Sequence, residues 1–165
     1  MILDRENRIC YACLSSRTSI QLLSKFGILM DFRIIYFHAF DKNDKPIYHT
    51  NVLMALGEEL AIICLESIQD EEERLQVRYA LQQTNKTIIE ISLDQVEQFA
   101  GNMLEVRSED LTRYLIMSTT AKNALTDDQI EQIESKSQII TANIPTIEKY
   151  GGGSIRCMLA EIFKN

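Results

Sequence analysis

The feature that most limits the fold of this chain is a change of hydrophobic period that returns about every 50 residues. Arg8 to Leu14 reads as a strand, and Thr18 to about Met30 as a helix carrying Ile20, Leu23 and Ile28. Phe32 to Phe37, rich in β-branched and aromatic residues, is strand again. Beyond the polar turn Asp41-Lys42-Asn43-Asp44-Lys45, Val52 to Ala55 and Ala61 to Leu65 read as short strands separated by Gly57-Glu58-Glu59. Ser67 is placed to cap the next helix together with Asp70, and Glu71, Glu72 and Glu73 suit its positive first turn. Ile68, Leu75 and Tyr79 are its expected buried stripe. Thr87 to Ile91 returns to strand, and Ser92-Leu93-Asp94-Gln95 opens a short helix as a capping box, ending at Gly101-Asn102. The last cycle has strands near Leu104 to Arg107 and Tyr114 to Ser118, then a helix capped by Thr126 and Gln129 with Ile130 and Ile133 inward. A strand near Gln138 to Ile144 completes it. Strand, strand, helix, strand predicts α/β architecture without separating an open sheet from a ring of units.

With 165 residues, 45% hydrophobic and 25% charged, the chain can bury a sizeable core. Its formal charge of −7 argues against nucleic acid or an anionic membrane as partner. No apolar run is long enough to span a bilayer, and Met1-Ile2-Leu3-Asp4-Arg5-Glu6 lacks the basic-then-apolar order of a signal peptide, so a cytoplasmic location is expected. Four cysteines are too few for a disulfide scaffold. Cys10 and Cys13 form a CxxC inside an apolar strand with no second pair following, which reads as core. No HxxxH spacing or carboxylate cluster supplies a metal site, and no cofactor is expected.

Chemistry is concentrated in two places. Gly151-Gly152-Gly153-Ser154-Ile155-Arg156-Cys157-Met158 spends three of six glycines in a row before a cysteine with an arginine beside it. Glycines permit a turn that aims a side chain into a cavity, and a neighbouring guanidinium favours the thiolate, the attacking form of sulfur. The plainer reading is a C-terminal turn followed by a buried cysteine. In Tyr48-His49-Thr50-Asn51-Val52, one of only two histidines lies after a polar turn at the edge of an apolar strand. That position suits a general acid and base; the plainer reading is a surface or capping histidine. His38, between Phe37 and Phe40, reads as structural.

The segments Pro46 to Val52, Phe99 to Glu105 and Gly151 to Glu161 resemble the bacterial amidinotransferase family, and more narrowly its arginine-deiminase-related branch that includes citrulline hydrolases. Leu14-Ser15-Ser16-Arg17-Thr18 is similar to the Ser-x-Arg-Thr signature of deiminases and dimethylargininases. The likeness runs over essentially the whole chain. It implies the pentein fold, a pseudo-fivefold α/β propeller of ββαβ units, with about three of the five present. It also implies Cys157 as nucleophile and His49 as acid and base in attack on a guanidino or ureido carbon, with Asn51, Arg156 and Gly153 contacting substrate. Asn51 stands where arginine deiminases have an aspartate, which favours a neutral ureido group such as that of citrulline. Ser16 stands where they carry a glutamate.

The family's acidic substrate motif would precede Met1, so residues 1–165 correspond to the C-terminal portion of one pentein domain. A ring cut in this way leaves open strand edges and half a pocket. The expected function is a hydrolase acting within a larger catalytic domain. The alternatives are a non-catalytic remnant or assembly module that pairs with another chain, and an amidinotransferase using an amine acceptor. Expected partners are a small guanidino or ureido substrate and a second copy or complementing chain at the open edges.

Overall fold

A computed structural model describes residues 1–161. Three sheets of three strands each occur among these residues, every one built alike: an antiparallel pair, then a crossover to a parallel third strand. In the first, β1 (Ile2–Asp4) pairs antiparallel with β2 (Ile9–Cys13); α1 (Ile20–Met30) then leads to β3 (Arg33–Phe37), parallel to β2. The second follows α2 (Thr50–Leu53), a single helical turn, and consists of β4 (Met54–Leu56), β5 (Leu60–Ile63), α3 (Glu71–Gln83) and β6 (Thr87–Glu90). After α4 (Leu93–Glu97) the third comprises β7 (Leu104–Arg107), β8 (Arg113–Ser118), α5 (Thr119–Ala124), α6 (Asp127–Glu134) and β9 (Gln138–Ala142). The chain continues into α7 (Pro145–Gly151) and α8 (Ile155–Met158). These are the ββαβ units that the resemblance implies.

The middle strands β2 and β5 are buried along their whole length, as strands covered on both faces must be. Cys10 and Cys13 are both core residues of β2 but belong to different clusters, Cys10 with Leu23 and Phe32, Cys13 with Phe37 and Leu53. Burial pushes the Cys13 thiol up to about 11. No helix among the described residues is long and apolar enough to cross a membrane.

The structure departs from the sequence expectations at several points. Residues 2–4 form a strand too short to show a period of its own. Thr50–Leu53, expected to lead into a strand at Val52, is helical, and the strand starts at Met54. The N-cap of α3 is Asp70, whose carboxylate accepts the Glu73 N–H at 2.9 Å; Ser67 closes a preceding 3₁₀ turn by donating to the Cys64 carbonyl. The buried stripe of α3 is Val77, Ala80 and Leu81, while Leu75 and Tyr79 are exposed. Both sets follow helical spacing, and the smaller side chains of Val77 and Ala80 let the helix approach the sheet closely. The capping boxes at Ser92 and Thr126 form as expected, but α4 ends at Glu97, before Phe99 adopts a left-handed φ of 64°.

Ion pairs cross the seams between units. Lys86, just before β6, reaches the Asp4 carboxylate at 3.2 Å, with both side chains almost wholly buried, and donates to the Glu58 carbonyl at 2.7 Å. Lys136, just before β9, meets the Glu59 carboxylate at 3.1 Å, half-exposed and shared with Arg113. The same position in successive units thus reaches back to the hairpin of the unit before it.

Candidate active site

Two arms of the chain meet at one cavity of about 260 Å³, whose lining includes Tyr48, His49, Asn51, Phe99, Asn102, Gly153 and Cys157. The first arm is the loop that enters α2. Cys13 of β2 holds it on both sides of His49: its backbone N–H donates to Thr50 Oγ1 and its thiol to the Ile47 carbonyl, each at 3.0 Å. His49 precedes the helical turn in extended conformation and is exposed to the cavity. Its ring stacks edge-on against Tyr48, with centroids 4.6 Å apart, and the Arg17 guanidinium lies over the other ring at 4.8 Å. Ser15 Oγ donates to the Tyr48 carbonyl at 3.0 Å, so the Leu14–Thr18 segment buttresses the histidine loop. Partial burial, and then the charge of Arg17, holds the His49 ring below its ordinary imidazole value. A neutral ring at pH 7 can accept a proton.

The second arm is the glycine-rich turn. Pro145 starts α7 at a position where its missing N–H costs nothing, and Gly152 ends that helix with a left-handed φ of 70°. A side chain on Gly153 would place its Cβ 2.9 Å from Cys157 Sγ, so only glycine leaves the sulfur its space. Ser154, fully buried, donates to Glu148 at 2.7 Å, and the other oxygen of that carboxylate accepts from Thr120 at 2.6 Å. Burial would raise the Glu148 carboxyl, but hydrogen bonds from Ser118, Thr120 and Ser154 outweigh it and hold the group below the usual carboxylate range. Glu148 therefore ties the cysteine turn to α5. Cys157 itself sits on the short turn of α8 and is exposed, whereas Cys10, Cys13 and Cys64 are buried.

Between the arms lies Asn102, a residue to which the sequence reading gave no role. It is 3% exposed, donates to the Asn51 carbonyl at 2.9 Å and to Cys157 Sγ at 3.3 Å, and accepts the Arg156 backbone N–H at 3.1 Å. Gly101 beside it packs so tightly on α2 that an added Cβ would stand 2.4 Å from the Val52 carbonyl oxygen. Asn51 approaches the sulfur through its amide nitrogen at 4.0 Å, and its buried Oδ1 has no hydrogen-bond partner among the described residues.

The cavity therefore brings together His49, Asn51, Gly153 and Cys157. Arg156 stays outside its lining: the guanidinium donates to the Leu159 carbonyl at 3.4 Å and lies 3.8 Å from Glu161. Neighbours on a helical turn point apart, so adjacency in sequence did not make this arginine a neighbour of the sulfur in space. Asp41 and Glu97 also line the cavity, but Asp41 caps its own turn through the N–H groups of Asn43 and Lys45, and Glu97 pairs with Lys42. His38 binds Glu73 of α3 through ring and backbone, the structural role expected of it. No group of three or more His, Cys, Asp or Glu among the described residues could hold a metal ion.

A family model described as N,N dimethylarginine dimethylhydrolase, eukaryotic, matches residues 1–164. No curated protein matches the chain significantly. Among solved structures, the chain is similar to the product-bound N-terminal domain of ArgZ, an arginine dihydrolase from the ornithine-ammonia cycle in cyanobacteria, with a TM-score of 0.71 and 17% identity over 95% of this chain and 52% of that one. Apo ArgZ gives a TM-score of 0.72 at 16% identity, covering 95% of this chain and 23% of that chain. Unliganded AgrE gives 0.73 at 18%, covering 95% and 21%. The chain thus spans about half of the ArgZ domain and less than a quarter of the longer chains. These likenesses establish the fold as a partial pentein propeller of ββαβ units. With the family match running from residue 1 to residue 164, the chain belongs to the N,N dimethylarginine dimethylhydrolase family.

Proposed function

We propose that this chain supplies the cysteine and histidine side of a hydrolase site that acts on the guanidino carbon of an arginine-type substrate. One observation carries the reading: an exposed Cys157 thiol and a His49 ring, far apart in sequence, line one cavity with amide N–H groups directed at the sulfur. In this reading the Cys157 thiolate attacks the planar guanidinium carbon and forms a C–S bond. His49, having taken the Cys157 thiol proton, gives it to the departing amine as the C–N bond breaks, leaving a covalent thiouronium on the sulfur. The neutral imidazole then takes a proton from water, which attacks the same carbon and releases the ureido product and the thiolate. The remaining carboxylates for the guanidinium come from a complementing segment, another chain or a second copy, and a reducing cytoplasm suits an exposed nucleophilic thiol.

The family match supports a methylated guanidine as substrate, and the ArgZ likeness is compatible with unsubstituted arginine. A second reading, citrulline hydrolysis, is supported by Asn51, because an amide rather than a carboxylate at this place suits a neutral ureido group. Incubation of the chain, alone and with its complementing segment, with dimethylarginine, arginine and citrulline separates these readings by product: dimethylamine, ammonia, or ornithine with ammonia. Cys157→Ala is expected to abolish turnover, and equal turnover by that variant would remove the nucleophile assignment. Turnover that requires an added amine acceptor would instead mark a transferase.

A further inference from the structure

We infer that Asn102 is the residue that holds the Cys157 sulfur in its ionised form, through a side-chain amide fixed by two backbone groups so that one N–H is committed to the sulfur. The inference deepens the hydrolase reading and rests on Cys157 being its nucleophile.

The orientation of this amide is dictated by its partners. Oδ1 accepts the Arg156 backbone N–H at 3.1 Å, and Nδ2 donates to the Asn51 carbonyl at 2.9 Å. Exchanging oxygen and nitrogen would set a carbonyl against a carbonyl and an N–H against an N–H, so the amide cannot flip without losing both bonds. The planar NH₂ group has two hydrogens. One serves Asn51, and the other faces Cys157 Sγ at 3.3 Å.

A donor aimed at sulfur favours the thiolate over the thiol. The thiol, to be stabilised equally, would have to donate to Asn102 Oδ1, which stands farther away at 3.6 Å and is already engaged by Arg156. Asn102 is 3% exposed, so water competes little for its N–H. The Asn51 amide nitrogen, at 4.0 Å, adds a weaker donor. Asn102 also touches both arms of the site, the Asn51 carbonyl on one and the Arg156 N–H on the other, and so fixes the spacing at which sulfur and imidazole share the cavity.

The test is the pH dependence of iodoacetamide alkylation at Cys157 in the full chain, followed by mass analysis of its peptide, for the unmutated chain, Asn102→Ala and Asn102→Asp. Loss of the side-chain donor should move the Asn102→Ala curve to higher pH. Asn102→Asp should move it at least as far, since a carboxylate replaces the donor. Alkylation curves that coincide in all three chains would overturn the inference, even if both variants melt at lower temperature. Should the variants fail to fold, the unmutated chain still decides: the Asn102 side-chain amide proton resonances must shift with the thiol titration, and must not do so in Cys157→Ala. Resonances that stay fixed through the titration overturn it equally. The two readings fail separately. A thiol titration dependent on Asn102 without turnover of any guanidino compound leaves this inference standing and removes the hydrolase. Turnover with a thiol indifferent to Asn102 does the reverse.

Discussion

The two arms of the site are held by different physics. The histidine arm is fixed by neutral groups: the Cys13 N–H meets Thr50 Oγ1, its thiol meets the Ile47 carbonyl, and Gly101 lies against α2 with no room for a methyl group. The cysteine arm hangs on a side chain, the Glu148 carboxylate that joins Ser154 to Thr120. Steric contact does not titrate, whereas a carboxylate anchored by hydroxyls does. The difference teaches that the histidine loop is placed by contacts that do not titrate near neutral pH, while the cysteine turn owes one of its anchors to an acid that must remain ionised.

The sharpest way to break this contrast is Gly101→Ala. Its Cβ would meet the Val52 oxygen at 2.4 Å and the Leu53 carbonyl carbon at 2.8 Å, both backbone atoms that cannot swing aside. A loss of about 2–3 kcal/mol is expected in urea unfolding, with the Asn102–Asn51 bond disturbed as well. A stability within 0.5 kcal/mol, on the order of an ordinary surface change, would show that α2 is free to move.

Glu148→Ala comes next, with an expected loss of about 1–3 kcal/mol because it strands the buried Ser154 hydroxyl. Its pH signature separates the arms. Glu148 is held below its ordinary value when folded, so its contribution is complete above the unfolded carboxylate value and is lost as pH falls through the folded one. The unmutated chain should therefore lose stability on acidification more steeply than Glu148→Gln, measured by melting from pH 6 downward, roughly across the carboxylate range. Parallel curves would assign the anchor to Thr120 and Ser154 alone.

The smallest effect falls on the histidine arm. Burial and then Arg17 keep the His49 ring below its ordinary value. Arg17→Gln removes only the second cause, so the ring should titrate at higher pH in the variant while remaining below a free imidazole, read by proton NMR of the ring. A titration unmoved by the substitution would leave burial and the N-terminal charge as the causes.

Much of this fold was legible because each unit holds elements long enough to display a period, as α1, β2 and β8 show. β1 and α2 were not, since three or four residues cannot distinguish a strand from a turn of helix. On α3 the heavier apolar pair, Leu75 and Tyr79, drew attention from the smaller residues that face the sheet. Cys157, His49 and Asn51 could be named from the motifs that carry the family resemblance. Asn102 lies in the Phe99 to Glu105 segment of the same resemblance, but its role rests on three partners that only tertiary structure assembles, and Arg156, beside the cysteine in sequence, stays outside the cavity's lining.

The seam lysine has a consequence for how the molecule comes apart. Lys86 is nearly inaccessible to water, and its counter-charge, Asp4, is borrowed from the preceding unit. Peeling the first sheet away would leave an ammonium stranded in the interior, an event that costs about 3–5 kcal/mol. The first two sheets should accordingly melt together in one transition, and a cut between them should yield two unfolded halves rather than two small folded ones.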